Sequence, residues 1–145
     1  MNKVAINPGQ DAPSPLGAYS HAVRVNDLLF ISGQGCRDAK TGVERGLTLD
    51  AAGNVLDYDI EAQTVGVLEN LGVVLQAAGL GYEDVVDMTV YLHDMKDFAR
   101  YNRIYARYFQ GVPVPPARTT MQVAKLPGRN YIEVKAIAAF SRESK

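Results

Sequence analysis

The sequence predicts an α+β fold, a mixed sheet with two helices on one face. Three observations predict it. Five segments read as strands, by alternation or as short apolar runs, and two repeat apolar residues at helical spacing, in the order β-β-α-β-α-β-β. The chain has 145 residues, which suits a single domain over residues 1–145. The last segment, Tyr131–Phe140, is apolar on both faces. Two helices on one side leave its second face to be buried by another subunit.

The elements follow in order. Asn7 to Gly17 is rich in Pro and Gly and reads as an extended lead-in. Ser20–Val25 and Leu28–Ile31 flank Asn26-Asp27, a polar two-residue turn between β-type runs, and so predict a hairpin. Ser32-Gly33-Gln34-Gly35 closes the second strand, and its glycines mark a close backbone approach. Residues 36–56 read as irregular, with turn chemistry at Asp38–Gly42 and Ala52-Gly53-Asn54. Ile60, Thr64, Val67, Leu68, Leu71, Val74, Leu75 and Ala78 recur at helical spacing, with Asp57 or Asp59 as N-cap and Gly79 as the stop. Val85–Leu92 reads as a strand with Val86, Met88, Val90 and Leu92 on one face. A second helix spans Lys96–Gln110, with Phe98, Tyr101, Tyr105, Tyr108 and Phe109 on its apolar side and Asp94 or Asp97 as cap. Gly111, Pro113, Pro115 and Pro116 end it. Arg118–Ala124 and Tyr131–Phe140 are the closing strands, the latter with Ile132, Val134, Ala136 and Ala138 on one face.

Composition narrows the function. Hydrophobic residues make up 47% and charged residues 21%, with a net charge of −1, so there is no basic excess to neutralise a nucleic-acid backbone. A single cysteine, Cys36, excludes an intrachain disulfide and a multi-thiolate site, and a reducing compartment is the default. Met1 to Ser14 lacks the apolar core of a secretion signal, and no apolar run reaches the ~18 residues of a membrane span. A cytoplasmic protein without membrane contact is expected.

Few residues are placed for chemistry. His21 and His93 lie in separate strands, and no His, Cys, Asp or Glu cluster has metal-ligand spacing. Gly33-Gln34-Gly35 lacks the third glycine of a dinucleotide loop, and Gly-x-Ser-x-Gly is absent. What remains is polar residues in apolar strands. On periodicity alone, Glu133 reads as a solvent-facing strand residue paired with Lys135, and Arg118 as an ion-pair partner. Ser32 reads as a turn hydroxyl, Cys36 as a small buried thiol and His21 as a satisfied core or interface histidine.

The ordered set of short motifs says more. Ser32-Gly33-Gln34, Gln63-Thr64, Glu69-Asn70-Leu71, Asp97-Phe98-Ala99-x-Tyr101-Asn102 and Pro116-Ala117-Arg118-Thr119-Thr120 occur in sequence. Leu126-Pro127 and Ile132-Glu133-Val134-x-Ala136-Ile137-Ala138 complete them. Together they resemble the reactive-intermediate deaminase (YjgF/YER057c/UK114) family over nearly the whole chain. The resemblance implies a chorismate-mutase-like, trimeric α+β fold with active sites between subunits. It also implies hydrolysis of enamines and imines to oxo acids and ammonia, with no metal or cofactor. Carried over by position, Arg118 binds the substrate carboxylate and Glu133 holds the attacking water. Ser32, Gly33, Tyr19 and Asn102 line the pocket. Thr120 stands where many members have cysteine, and Lys135 replaces a second acidic residue, so the substrate is less well specified than the chemistry.

Gly17-x-Tyr19-Ser20-His21-Ala22 and Asp57–Thr64 are similar to the 2-aminomuconate deaminase branch, which produces 4-oxalocrotonate in aromatic-compound breakdown. A dicarboxylate substrate wants a second cationic group, and His21, Arg37 and Arg129 are open for that role. A general deaminase of 2-iminobutanoate and 2-iminopropanoate (2-aminoacrylate) type is the alternative, with a ligand-sensing or RNA-acting regulator behind it. Were the last two strands a simple hairpin turning near Gly128, Arg118 and Glu133 would be staggered by about six residues, ~20 Å. Either those strands do not pair so, or the two residues meet from different subunits; the second is the expectation.

Overall fold

Ile132–Ala139 (β8) is the strand about which the fold is organised. The computed structural model describes residues 2–141. Upstream of β8 lie β1 (Lys3–Ile6), β2 (Ala22–Val25), β3 (Leu28–Gln34), β4 (Leu47–Leu49) and β5 (Val55–Tyr58). Then come α1 (Ile60–Ala77), β6 (Val85–Leu92), α2 (Phe98–Phe109) and β7 (Ala117–Gln122). A six-stranded sheet runs in the order β1-β2-β3-β8-β6-β7, and β4 and β5 form a separate ribbon. Only the β6/β7 pair in the large sheet is parallel. This is the expected mixed α+β sandwich.

Period-two alternation sorts β8. Ile132, Val134, Ala136 and Ala138 are buried against the helix layer, while Glu133, Lys135, Ile137 and Ala139 face the other way. From β3 the helix layer receives Leu29 and Ile31, and from β6 it receives Met88, Val90 and Leu92. Against them α1 packs Val67, Leu68, Leu71, Val74 and Leu75, and α2 packs Tyr101, Ile104, Tyr105 and Phe109. The opposite sheet face carries Phe30 and Leu28 about 40% exposed, next to Ile137 and Ala139. An apolar strip is thus left uncovered by this chain.

Local chemistry explains the boundaries. The Asp59 carboxylate accepts from the Glu61 and Ala62 amides and opens α1. Gly79, at φ 79°, closes the helix while Leu80 N–H bonds back to the Leu75 carbonyl. Asn26 takes the left-handed conformation, φ 53°, that the β2–β3 turn needs. Cys36 is buried beside α1, where its amide and thiol both donate to the Asn130 side-chain oxygen, at 2.9 and 3.2 Å. Burial pushes that thiol up to about 11.

Several expectations need correction. β1 lies ahead of the lead-in, where the sequence reading places no strand, and the β4/β5 ribbon falls largely where the sequence reads as irregular chain. These strands are three or four residues long and mostly exposed, so they leave no alternation to read. The β6 face begins at Val85, not Val86. The register slips between Val85 and Asp87, turning Val86 outward at 46% exposure. The second helix starts at Phe98 after a short 3₁₀ turn, Met95–Asp97. Asp94 caps that turn through the Lys96 amide, whereas Asp97 is buried and accepts the Tyr58 hydroxyl at 2.6 Å. Finally, β7 and β8 form no hairpin, because β6 lies between them.

Replacing Asp59 with alanine leaves two amides of the first α1 turn without their side-chain acceptor. We expect Asp59→Ala to lower stability by about 1 kcal/mol in urea unfolding with an unchanged m-value; no shift of the midpoint would contradict the cap.

Candidate active site

Strand register decides where the two charged candidates go. Arg118 pairs with Met88 across the parallel β6/β7 ladder and therefore shares the helix-covered face. Glu133 pairs with Tyr91 across the antiparallel β6/β8 ladder. Met88 and Tyr91 are an odd number of residues apart on one strand, so they point to opposite faces. Arg118 and Glu133 of one chain therefore lie on opposite sides of the sheet and line different cavities.

The Arg118 side is built by α2. The Arg118 guanidinium donates to the Asn102 side-chain oxygen at 2.7 Å. Its central carbon lies 4.7 Å from the Tyr105 ring centre and 5.5 Å from that of Tyr101. An aromatic bed holds the cation in place and leaves most of its donors free. Thr120, two residues on, shares the face and bonds Tyr101 hydroxyl to hydroxyl. Burial raises the Tyr105 phenol to about 12, and among the described residues its hydroxyl has no hydrogen-bond partner. An open groove of about 490 Å³ runs past Arg118, Asn102, Tyr105, Phe109 and Pro116. Sequence reading takes these aromatics only as the core stripe of a helix. Their spacing at 98, 101 and 105 is also what places three rings around one guanidinium.

The Glu133 side is built where the β3 end meets the loop before β8. The β3/β8 register shifts between Ile31 and Gln34, which turns Gly33 toward Glu133. A methyl group on Gly33 would sit 3.2 Å from a Glu133 carboxylate oxygen, so a side chain there would press on it. A cavity of about 310 Å³ is lined by Glu133, Gly33, Tyr19, Arg37, Glu44 and neighbouring loop residues. Glu133 is half-buried and makes no ion pair with Lys135, contrary to the bland strand reading. Desolvation alone lifts its carboxyl above the ordinary 4.5.

Other predicted residues have settled partners. The Ser32 hydroxyl donates to the Ser20 carbonyl at 2.7 Å and anchors the strand end. His21 is buried, with Nε2 2.8 Å from the Pro13 carbonyl oxygen. Arg129 is bound to Glu44 through both its side chain and its amide, which holds the Glu44 carboxyl below its usual range. Arg37 donates one bond to the Ser14 carbonyl. Within one chain, then, Tyr19, Gly33 and Glu133 form one group and Arg118, Asn102 and Thr120 form another. The loop residues Leu16, Gly128 and Asn130, which also line the Glu133 cavity, are not singled out as site residues by the sequence, and Pro127 enters there only as part of a motif. Among the described residues no three His, Cys, Asp or Glu side chains gather as a metal-ligand set, and no helix is long and apolar enough to cross a membrane.

Comparison with known proteins gives concordant matches. The sequence model described as Endoribonuclease L-PSP matches residues 9–140. A RutC family protein, SSO3206, of Saccharolobus solfataricus is 43% identical over 129 residues, covering 89% of this chain and 92% of the relative. The chloroplastic Reactive Intermediate Deaminase A of Arabidopsis thaliana is 42% identical over 130 residues, covering 89% of this chain and 62% of the relative. The crystal structure of E. coli TdcF with bound serine superposes with a TM-score of 0.82 at 32% identity, covering 95% of this chain and 99% of that one.

The unpaired carboxyl makes a testable contribution to stability. Its folded-state pKa lies above the unfolded value near 4.5, so the native state binds more protons between the two. Wild-type stability should fall relative to Glu133→Gln as pH rises through that window. Urea unfolding of both proteins between about pH 4 and 7 checks the sign; a difference independent of pH would refute it.

Proposed function

This chain belongs to the reactive-intermediate deaminase (YjgF/YER057c/UK114) family, whose sequence model is described as Endoribonuclease L-PSP, and on that premise we propose that it hydrolyses the enamine or imine of a 2-oxo acid to the oxo acid and ammonia. Within that class the proposed substrate is 2-aminomuconate, which would give 4-oxalocrotonate (2-oxohex-3-enedioate). The observation that carries the reading is the pair of complementary half-sites. One chain offers a cation with free donors on one sheet face and an unpaired, half-buried carboxyl on the other. The apolar strip on the open face supplies a reason for a second copy to dock there. A copy docked on that face would bring its own Arg118 toward the first chain's Glu133. Such a contact joins unlike surfaces and closes into a ring, of which a trimer is the smallest common form.

The chemistry then follows from the groups. Arg118 takes the substrate's carboxylate through paired N–H donors and fixes the adjacent C=N carbon. An enamine first gains a proton on carbon, or an imine one on nitrogen, and either becomes the iminium ion. Glu133, as the carboxylate, orients a water and accepts its proton while the oxygen bonds to the imine carbon. The resulting carbinolamine receives that proton on nitrogen. The C–N bond breaks, ammonia leaves, and the hydroxyl proton is released, returning the one taken up at the start and leaving the oxo acid. Water, one cation and one carboxylate account for every atom and proton.

Two observations weigh between substrates. The Arabidopsis relative bears the name Reactive Intermediate Deaminase A, which favours a general imine deaminase. The E. coli TdcF structure holds serine, a small molecule with one carboxylate. An RNA-acting role draws on the family model's description, but a net charge of −1 offers little for a phosphate backbone.

Arg118→Ala and Glu133→Gln should each lower ammonia release at least ~100-fold without dissociating the oligomer. Co-refolding the two inactive variants in equal amounts should restore about a quarter of wild-type activity, because a site shared between chains can draw one intact residue from each. No recovery on mixing would show that each site draws both residues from one chain. Rates on 2-aminomuconate and on 2-iminopropanoate made in situ from alanine decide between the specific and the general enzyme.

A further inference from the structure

Three basic side chains were open as grips for a second acid group, and the structure separates them. Arg129 is committed to Glu44 by its amide at 2.8 Å and by Nε at 3.2 Å. His21 is buried with its ring nitrogen against the Pro13 carbonyl. Arg37 is half-exposed and, alone of the three, lines the same cavity as Glu133; its guanidinium makes one bond, to the Ser14 carbonyl at 2.8 Å. That bond anchors the planar head and leaves its remaining donors for a ligand. The adjoining narrow cavity of about 40 Å³ is also bordered by Tyr19, Gly33 and Arg37, so the arginine spans both recesses.

Charge in the cavity wall is consistent with this. Its acidic members are Glu44 and Glu133. Glu44 is paired with Arg129, and Glu133 makes no ion pair with Arg37. Among the described residues the cation of Arg37 therefore has no ion-pair partner. A volume of about 310 Å³ leaves room for a short carbon chain beyond the reacting carbon.

We infer that Arg37 is a specificity-determining residue that binds the distal carboxylate of a dicarboxylic substrate, opposite the carboxylate held by Arg118. This rests on the imine-deaminase reading for the identity of the reacting group, but the grip on a second acid group is testable without turnover. Pyruvate and 2-oxoglutarate serve as unreactive product-like probes that differ by the distal acid group.

Calorimetric titration of the wild-type oligomer should show tighter binding of 2-oxoglutarate than of pyruvate. Arg37→Gln should weaken 2-oxoglutarate binding about 10- to 100-fold and leave pyruvate binding within about twofold, as expected for loss of one charge-assisted contact. Arg37→Lys, which keeps the charge without the fork, should retain part of the preference. Wild type with no preference for the diacid, or Arg37→Gln losing both ligands alike, would overturn the inference. Ammonia release from the imines of alanine and glutamate, generated in situ, is measured in parallel. Absence of turnover with the binding preference intact would defeat the deaminase reading and leave the role of Arg37 standing.

Discussion

Everything about the site descends from the two-residue period of a β-strand. Once Ile132, Val134, Ala136 and Ala138 are drawn into the core, Glu133 has no choice but the other face. Once β7 pairs in parallel with β6, Arg118 must stand beside Met88 on the helix side. No rotamer can bring the two charges together through a hydrogen-bonded sheet. The fold therefore separates a cation and a carboxylate that the proposed chemistry needs in one place, and on that proposal the association of chains rejoins them.

The electrostatics reinforce that division. Several exposed acids are satisfied locally: Asp50 and Asp38 by loop amides, Glu69 and Glu61 by arginines. Glu44 has Arg129, and buried Asp97 has the Tyr58 hydroxyl. Among the described residues Glu133 has none of these, and burial raises its pKa above the ordinary carboxyl value. A carboxyl left partly desolvated and unpaired is unfavourable for the isolated fold, which is the signature of a group kept for a ligand or a partner surface. Arg118 shows the complementary arrangement, positioned by Asn102 and by aromatic rings and, among the described residues, paired with no acid.

Much of this was legible before the structure. The helix at Ile60–Ala77 and the hairpin at Asn26-Asp27 carry strong periodic and turn signals, and both appear where expected. Both faces of β8 could be read from alternation alone. The β4/β5 ribbon and β1 could not, since strands of three or four exposed residues are held by ladder bonds that any side chain permits. The slip at Val86 escaped because one extra residue inverts parity without changing composition. The neighbour of β7 is a question of long-range topology, on which local patterning is silent. For the site, Arg118, Glu133, Gly33 and Tyr19 were visible as types in a motif. The distinction among His21, Arg37 and Arg129 was not, because it depends on which of them finds a carbonyl or carboxylate in loops far away in sequence.

The position of Cys36 has a practical corollary for handling the protein. With its thiol buried on Asn130 and its ionisation pushed to about 11, only about one molecule in ten thousand carries a thiolate at neutral pH. Maleimide and iodoacetamide reagents should therefore ignore it in the folded chain. A single cysteine engineered onto the surface would be labelled selectively, so fluorophores or spin probes could be attached without first deleting the native thiol.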